Sequence, residues 1–91
     1  MTKRIQATIH GTVQGVGFRY YTQQEAIRLG VTGYVRNLPD STVEMVAEGT
    51  DAQIQALLAW AHQGPAAARV TRVVVAEQPA SGDFQNFSIE R

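Results

Sequence analysis

A strict alternation of residue types opens the sequence and constrains its fold more than any other feature. From Ile5 to Val13 the odd positions are Ile, Ala, Ile, Gly and Val, and the even positions are Gln, Thr, His and Thr. This period of two predicts a strand with one buried face. After a glycine-containing break at residues 14–17, apolar residues recur at helical spacing from Phe18, and Gly30 follows as a C-cap. The chain therefore begins with a strand and a helix.

The rest of the sequence predicts four more strands and a second helix. The predicted elements are strands 31–38 and 43–48 around a turn, a helix opened by the capping box of Thr50 and Gln53 and closed at Gly64, and strands 70–76 and 86–90. The order is βαββαβ with a short extra C-terminal strand. It predicts an α+β, ferredoxin-like sandwich with two helices on one face of an antiparallel sheet. Residues 1–91 suit one domain.

Composition excludes several classes of function. Eight basic and eight acidic residues give a formal net charge of zero, which argues against nucleic-acid binding. The absence of cysteine excludes disulfides and thiolate metal sites, and no apolar run is long enough for a membrane span. No secretory signal is visible at the N-terminus. We predict a cytoplasmic monomer that binds neither nucleic acid nor membrane.

The Gly15-Val16-Gly17 turn lies between a strand end and a helix start. Unpaired amides and the helix dipole make such a junction an anion site, and Arg19 adds a fork of donors suited to phosphate. Position 20 is Tyr where a dinucleotide fingerprint needs Gly, and no Gly-Lys-Ser/Thr follows for a Walker loop. The loop suits a small anion without a nucleotide. The alternative is a tight connection beside a surface arginine.

Asn37 comes near the end of the second strand. The first and second strands of a βαβ unit run parallel, so their carboxyl ends share one sheet edge. With the third strand between them, the gap is roughly 10 Å, which a phosphate and one water would fill. Asn37 is then placed to hold the water. The alternative is that Asn37 only forms the turn.

Two segments, GTVQGVGFR at residues 11–19 and GYVRN at residues 33–37, strongly resemble the acylphosphatase family. The likeness covers nearly the whole chain. It implies a metal-free, cofactor-free hydrolase of the carboxyl–phosphate bond, whose partners are an acyl phosphate substrate and inorganic phosphate. In the family the loop and arginine bind phosphate and the asparagine orients the attacking water. Carried over, the catalytic residues are Arg19 and Asn37, and the phosphate is bound by Arg19 together with Gln14, Gly15, Val16, Gly17 and Phe18.

One residue departs from the family pattern. The hairpin usually reads Asp-Gly before the third strand, whereas this chain has Asp40-Ser41. A serine with left-handed backbone angles costs about 1 kcal/mol, unless the turn is of another type. The departure affects the predicted hairpin geometry and the position of Asn37, and it leaves the predicted reaction class unchanged.

Several other polar and aromatic residues receive no functional assignment. His10 and His62 have no second ligand at metal-binding spacing, so no metal is predicted. Glu44 and Glu48 share a strand face and are expected to be solvated. Tyr20, Tyr21 and Trp60 are assigned to packing or to the surface, with lining of the pocket as the alternative for Tyr20 and Tyr21.

Three other functions fit the same fold. A ferredoxin-like module could bind acyl phosphates or other anions without turnover. A single-stranded RNA binder would need exposed aromatics and a basic face, which the first strand and the zero net charge do not offer. Acylphosphatase-like domains also begin the large hydrogenase-maturation carbamoyltransferases. The end of the chain just after its last strand favours a free-standing enzyme.

Overall fold

A computed structural model describes residues 2–91, and its elements follow the predicted order. Two helices and five strands are present in these residues. Their bounds are β1 (Thr2–Thr12), α1 (Phe18–Leu29), β2 (Thr32–Asn37), β3 (Val43–Thr50), α2 (Asp51–Gln63), β4 (Arg69–Gln78) and β5 (Phe87–Glu90). The βαββαβ order with an added strand is confirmed.

The strands form one sheet in the order β4-β1-β3-β2-β5. As predicted, β3 lies between β1 and β2 and is antiparallel to both. The antiparallel sheet predicted for the βαββαβ unit is confirmed, since β4 is also antiparallel to β1. The extra strand β5, whose direction the sequence did not predict, runs parallel to β2 and makes the sheet mixed. The chain leaves β4 at the end of the sheet where β1 and β2 begin. A strand that starts at this end and pairs with β2 must run in the same direction as β2.

The core lies between the two helices and one face of the sheet. In β1, Ile5, Ala7 and Ile9 pair with Ala47, Met45 and Val43 of β3, and all six are buried. The helices cover this face with Phe18, Ala26, Ile54 and Leu57, among others. The alternation read from the sequence therefore defines the helix-facing side of β1, and the four even residues from Gln6 to Thr12 lie on or near the opposite side.

The predicted capping box at the start of α2 is confirmed. Thr50 Oγ1 accepts from the Gln53 amide at 3.2 Å, and Gln53 Oε1 accepts from the Thr50 amide at 2.8 Å. Gln53 Nε2 also donates to the Leu29 carbonyl at 2.9 Å. This third bond joins the start of α2 to the end of α1.

On the face of the sheet away from the helices, the expectation of solvated carboxylates is wrong for Glu48, which is only 3% exposed. The amides of Ser81 and Gly82 each donate to its carboxylate at 3.0 Å, and Arg4 Nε lies 3.5 Å away. The Arg4 guanidinium in turn stacks on Phe84 at 4.7 Å. The segment after β4 thus folds over this part of the sheet. Amide donation from Ser81 is the main cause that lowers the pKa of Glu48.

Glu44 occupies the same face and is partly buried. It accepts hydrogen bonds from Arg36 Nε at 2.7 Å, Gln6 Nε2 at 3.3 Å and Tyr34 Oη at 3.4 Å. Polar side chains of three strands are thereby joined.

Among residues 2–91, no helix has the length and apolar character needed to cross a membrane.

Candidate active site

A pocket of about 190 Å³ opens at the edge of the sheet where β1 and β2 end. It brings Arg19 and Asn37 together with the predicted loop, although 18 positions separate them in the sequence. The residues that line it are Val13, Gly15, Gly17, Phe18, Arg19, Tyr20, Asn37 and Ile89. Five of the seven predicted site residues therefore meet at one pocket.

The backbone of the loop takes left-handed angles at two glycines. Gly15 has φ of 75° and Gly17 has φ of 80°, a conformation that strains residues with a side chain. A Cβ at Gly15 would meet no atom of residues 2–91 within 4 Å apart from those of its chain neighbours, so the backbone there is open to close approach. Gly17 is also the N-cap of α1, and no side chain of residues 2–91 caps this helix start. The amides of the first turn are therefore free to bind an anion.

Phe18 fixes the loop to the core. Its side chain is almost fully buried and its ring lies 5.5 Å from that of Trp60 on α2. Val13, on the other side of the glycines, is buried as well. The flexible residues of the loop are thus held between two buried anchors, which gives their amides a defined orientation.

The Arg19 side chain is held at the wall of the pocket by the last strand. Its Nη1 donates to the main-chain oxygen of Glu90 at 3.3 Å. None of the ion pairs formed among residues 2–91 involves Arg19. A guanidinium has five N–H donors, so most of its donors remain for a ligand. The positive charge is not neutralised by a carboxylate of the described residues.

Asn37 is the last residue of β2, and it lies opposite Val43 of β3. Its Oδ1 is buried and accepts no hydrogen bond from residues 2–91. A buried acceptor left without a donor costs about 1–3 kcal/mol, so such an oxygen in a pocket is suited to bind a ligand or water proton.

The other two predicted site residues lie beside the pocket and do not line it. Val16 packs against the core and faces a neighbouring groove. The Gln14 amide Nε2 donates to the carbonyls of Leu38 at 2.8 Å and Thr42 at 2.9 Å. The sequence did not predict this link from the loop to the hairpin. No sequence pattern signalled it, because the acceptors are main-chain atoms.

The hairpin that follows Asn37 closes with Ser41 at φ 75°. Leu38 and Thr42 pair across a three-residue loop, and the Ser41 amide donates to the Leu38 carbonyl at 3.2 Å. This is a turn followed by one left-handed residue, a common hairpin loop. Ser41 thus takes the strained conformation that the sequence raised as one of two options. Asp40 stabilises the turn, because its carboxylate accepts hydrogen bonds from the Thr42 hydroxyl and amide. These hydrogen bonds lower the pKa of Asp40.

Tyr20 lines the pocket, the alternative that the sequence left open for it, and Trp60 packs against the core as expected. Within residues 2–91, no three His, Asp or Glu side chains come close enough to hold a metal ion together.

The fold and the pocket are those expected of a small α+β hydrolase of phosphorylated substrates. The acylphosphatase family model matches residues 5–89. An acylphosphatase from Thermococcus kodakarensis is 56% identical over 89 residues, which cover 96% of this chain and 97% of that protein. The chain belongs to the acylphosphatase family.

Solved structures agree with this assignment. The crystal structure of acylphosphatase from Bacillus subtilis superposes with a TM-score of 0.94 at 34% identity and covers all of both chains. A HypF structure from Thermococcus kodakarensis also matches, with a TM-score of 0.85 at 32% identity. That match covers 98% of this chain and 12% of the HypF chain. The predicted family and the predicted enzyme class, acyl-phosphate hydrolase, are confirmed.

Proposed function

We propose that this protein hydrolyses acyl phosphates by direct attack of a water molecule that Asn37 holds, while Arg19 and the amides of residues 14–19 bind the phosphoryl group. The observation that carries the proposal is the shared pocket. Within residues 2–91, it combines a helix start without a side-chain cap, an arginine without a carboxylate partner and a buried Asn37 oxygen that accepts no hydrogen bond. The first two suit a phosphate and the third suits a water.

Binding depends on donors that are already in place. The left-handed glycines and the buried Phe18 orient the loop amides, and Glu90 positions the Arg19 guanidinium. The amides and Arg19 contact the peripheral phosphoryl oxygens, where charge lies in a loose transition state. Donors that need no reorganisation stabilise such charge most effectively.

Attack forms one bond and breaks one bond. Asn37 Oδ1 accepts a proton of the water in a hydrogen bond and directs the water oxygen at phosphorus. The new bond joins that oxygen to phosphorus as the bridging P–O bond breaks, and its electron pair leaves with the carboxylate. The second water proton passes to a phosphoryl oxygen, so the products are a carboxylate and dihydrogen phosphate. An amide is no base near neutral pH, and the role of Asn37 is to position the water.

A site without a general acid is sufficient for this reaction. A carboxylate is a good leaving group and needs no proton as it departs. Neither the attack of the water nor the departure of the carboxylate needs a redox group or a Lewis acid, so we propose no cofactor. One pocket holds each group that this reaction needs, so we propose that residues 1–91 act as a single domain and as a monomer. We also propose that the protein acts in the cytoplasm.

Hydrolysis of acetyl phosphate with chelator present tests the proposal. We expect Arg19→Ala and Asn37→Ala each to lower kcat/KM by about 100- to 1,000-fold, the usual effect of removing a group that stabilises a transition state. The Arg19 variant should also bind inorganic phosphate more weakly, whereas the Asn37 variant should bind it normally. Arg72→Ala and Asn86→Ala, both at exposed positions away from the pocket, are the matched controls.

Water labelled with heavy oxygen identifies the atom attacked. Attack at phosphorus places the label in phosphate, and attack at the carbonyl carbon places it in the carboxylate. Label in the carboxylate would contradict the mechanism. Phosphate binding by a folded wild type without turnover would instead indicate a non-catalytic anion-binding module.

A further inference from the structure

A second groove lies beside the pocket, and the mechanism above does not use it. Its volume is about 440 Å³, and its lining is mainly apolar. The groove is formed by the side of the loop, the first helix, the end of α2 and the segment before β4. The lining residues are Val16, Tyr21, Trp60, Pro65, Ala66 and Ala67.

Neighbouring residues join this groove to the pocket. Gly15 and Gly17 line the pocket, while Val16 between them lines the groove. Tyr20 lines the pocket and Tyr21 the groove, and their rings meet edge to face at 5.1 Å. Both rings are about half exposed. A ligand bound by the loop amides therefore has an apolar surface next to it, on the same loop.

The order of the strands places the groove on the side of the loop away from Asn37. Asn37 ends β2, which lies two strands from β1 on one side of the sheet. The start of β4 pairs with the end of β1 on the other side, with Val70 opposite Gly11 and Arg69 opposite Thr12. Residues 65–67 lead into that end of β4. The loop that follows β1 thus lies between the water-binding asparagine and the groove.

This arrangement suits in-line phosphoryl transfer. The attacking and leaving oxygens lie on opposite sides of phosphorus. If the water comes from the side of Asn37, the carboxylate leaves toward the side of β4. The acyl group attached to that carboxylate then meets the groove.

We propose that the groove is the acyl subsite of this enzyme and that it selects aromatic acyl groups. This inference rests on the proposed function. The rings of Tyr21 and Trp60 offer faces and edges to a planar aromatic group, and Val16 and Ala67 complete an apolar surface. The methyl group of acetyl phosphate is too small to fill a groove of this size. An aromatic acyl phosphate gains buried apolar area there, which favours binding.

The test uses binding, so that it does not depend on turnover. Phenacylphosphonate and acetonylphosphonate are analogues of benzoyl and acetyl phosphate in which a CH2 group replaces the bridging oxygen. Trp60 is the only tryptophan in the sequence and lines the groove, so its fluorescence reports occupancy. We expect the phenacyl analogue to bind about tenfold more tightly and to change the Trp60 emission. Acetonylphosphonate and inorganic phosphate should leave the emission nearly unchanged.

A variant that fills the groove identifies the place of binding. Ala67→Phe should lower the ratio of the affinities for the phenacyl and acetonyl analogues by at least about fivefold. Ala80→Phe, at an exposed loop position away from the groove, is the matched control and should keep the preference. Equal affinity of the two analogues for the wild type, or a preference that Ala67→Phe does not alter, would overturn the acyl subsite. Hydrolysis of acetyl phosphate is measured separately. The absence of that hydrolysis would count against the proposed function.

Discussion

The side-chain amide of Gln14 donates a hydrogen bond to the main-chain oxygen of Thr42 at 2.9 Å, across 28 positions of sequence. The same nitrogen donates to the carbonyl of Leu38 at 2.8 Å. Gln14 begins the phosphate loop, and Leu38 follows Asn37 directly. One side chain therefore sets the distance between the loop that binds phosphate and the strand end that holds the water.

We predict that Gln14→Ala lowers both stability and turnover. Two hydrogen bonds are lost, although the carbonyls of Leu38 and Thr42 each keep a main-chain donor. The free energy of unfolding should fall by about 0.5–1.5 kcal/mol for each lost bond in urea titrations. kcat should fall more than phosphate affinity, because the loop amides stay and the position of Asn37 relaxes. Gln63→Ala, at the exposed end of α2, is the control. An unchanged kcat in a variant of reduced stability would show that the link is structural only.

Ser41→Gly should stabilise the protein. The φ of 75° strains serine, and glycine relieves that strain at the expense of a more flexible unfolded chain. The expected gain is about 0.5–1 kcal/mol in the free energy of unfolding. Ser41→Ala keeps the Cβ and should bring no gain. Equal stability of the alanine and glycine variants would argue that the backbone angle is not the cause.

Glu48 should make the protein sensitive to acid. Its pKa lies below the ordinary value near 4.5, chiefly because the Ser81 amide donates to the carboxylate. A lowered pKa means that the stabilisation is fully present above pH 4.5 or so and is lost as the pH falls through the folded-state pKa. One such group contributes a slope of at most about 1.4 kcal/mol per pH unit in that range.

Unfolding followed at a series of acidic pH values tests this expectation. Glu48→Gln should flatten the dependence of unfolding free energy on pH below about pH 4.5. Glu77→Gln, which alters a largely exposed carboxylate, should leave most of the slope in place. A wild-type slope retained by the Glu48 variant would assign the acid sensitivity to other carboxylates.

Asn37→Asp tests the charge of the water-binding position. The side chain keeps its shape and an acceptor oxygen, but it places a carboxylate beside a bound phosphoryl anion. Like charges at such a distance repel, so KM should rise at least about tenfold at neutral pH. The anion also favours the protonated acid, so binding should recover partly as the pH is lowered. A KM that does not depend on pH in this variant would place the side chain away from the phosphoryl group.

Features encoded by neighbouring residues were predictable from the sequence. The capping box of Thr50 and Gln53 needs only a three-residue spacing, and the alternation of β1 needs only its own residues. The glycines at 15 and 17 marked a strand-to-helix loop, and the structure places Arg19 in the first turn of the helix after it. The meeting of Asn37 with this loop followed from the handed, parallel relation of two strands in a βαβ unit.

Features encoded by distant residues were not predictable. Glu48 was expected in solvent because its strand neighbours do not reveal that Ser81, 33 positions later, folds over it. Gln14 stays a predicted residue of the phosphate loop, but the contact of its side chain with the hairpin was not predictable, because the carbonyls of Leu38 and Thr42 leave no mark in the sequence. The parallel pairing of β5 depends on the direction in which a loop returns, which residue types alone do not specify.

The hydrogen bond from Arg19 to Glu90 joins residues 71 positions apart. A large loop must close before a contact of such long sequence separation contributes, so we expect this contact to form late in folding. The guanidinium is therefore held in its final orientation only after β5 has docked beside β2. Recovery of enzymatic activity during refolding should follow this last docking event, so activity reports the completed fold while helix content reports its earlier stages.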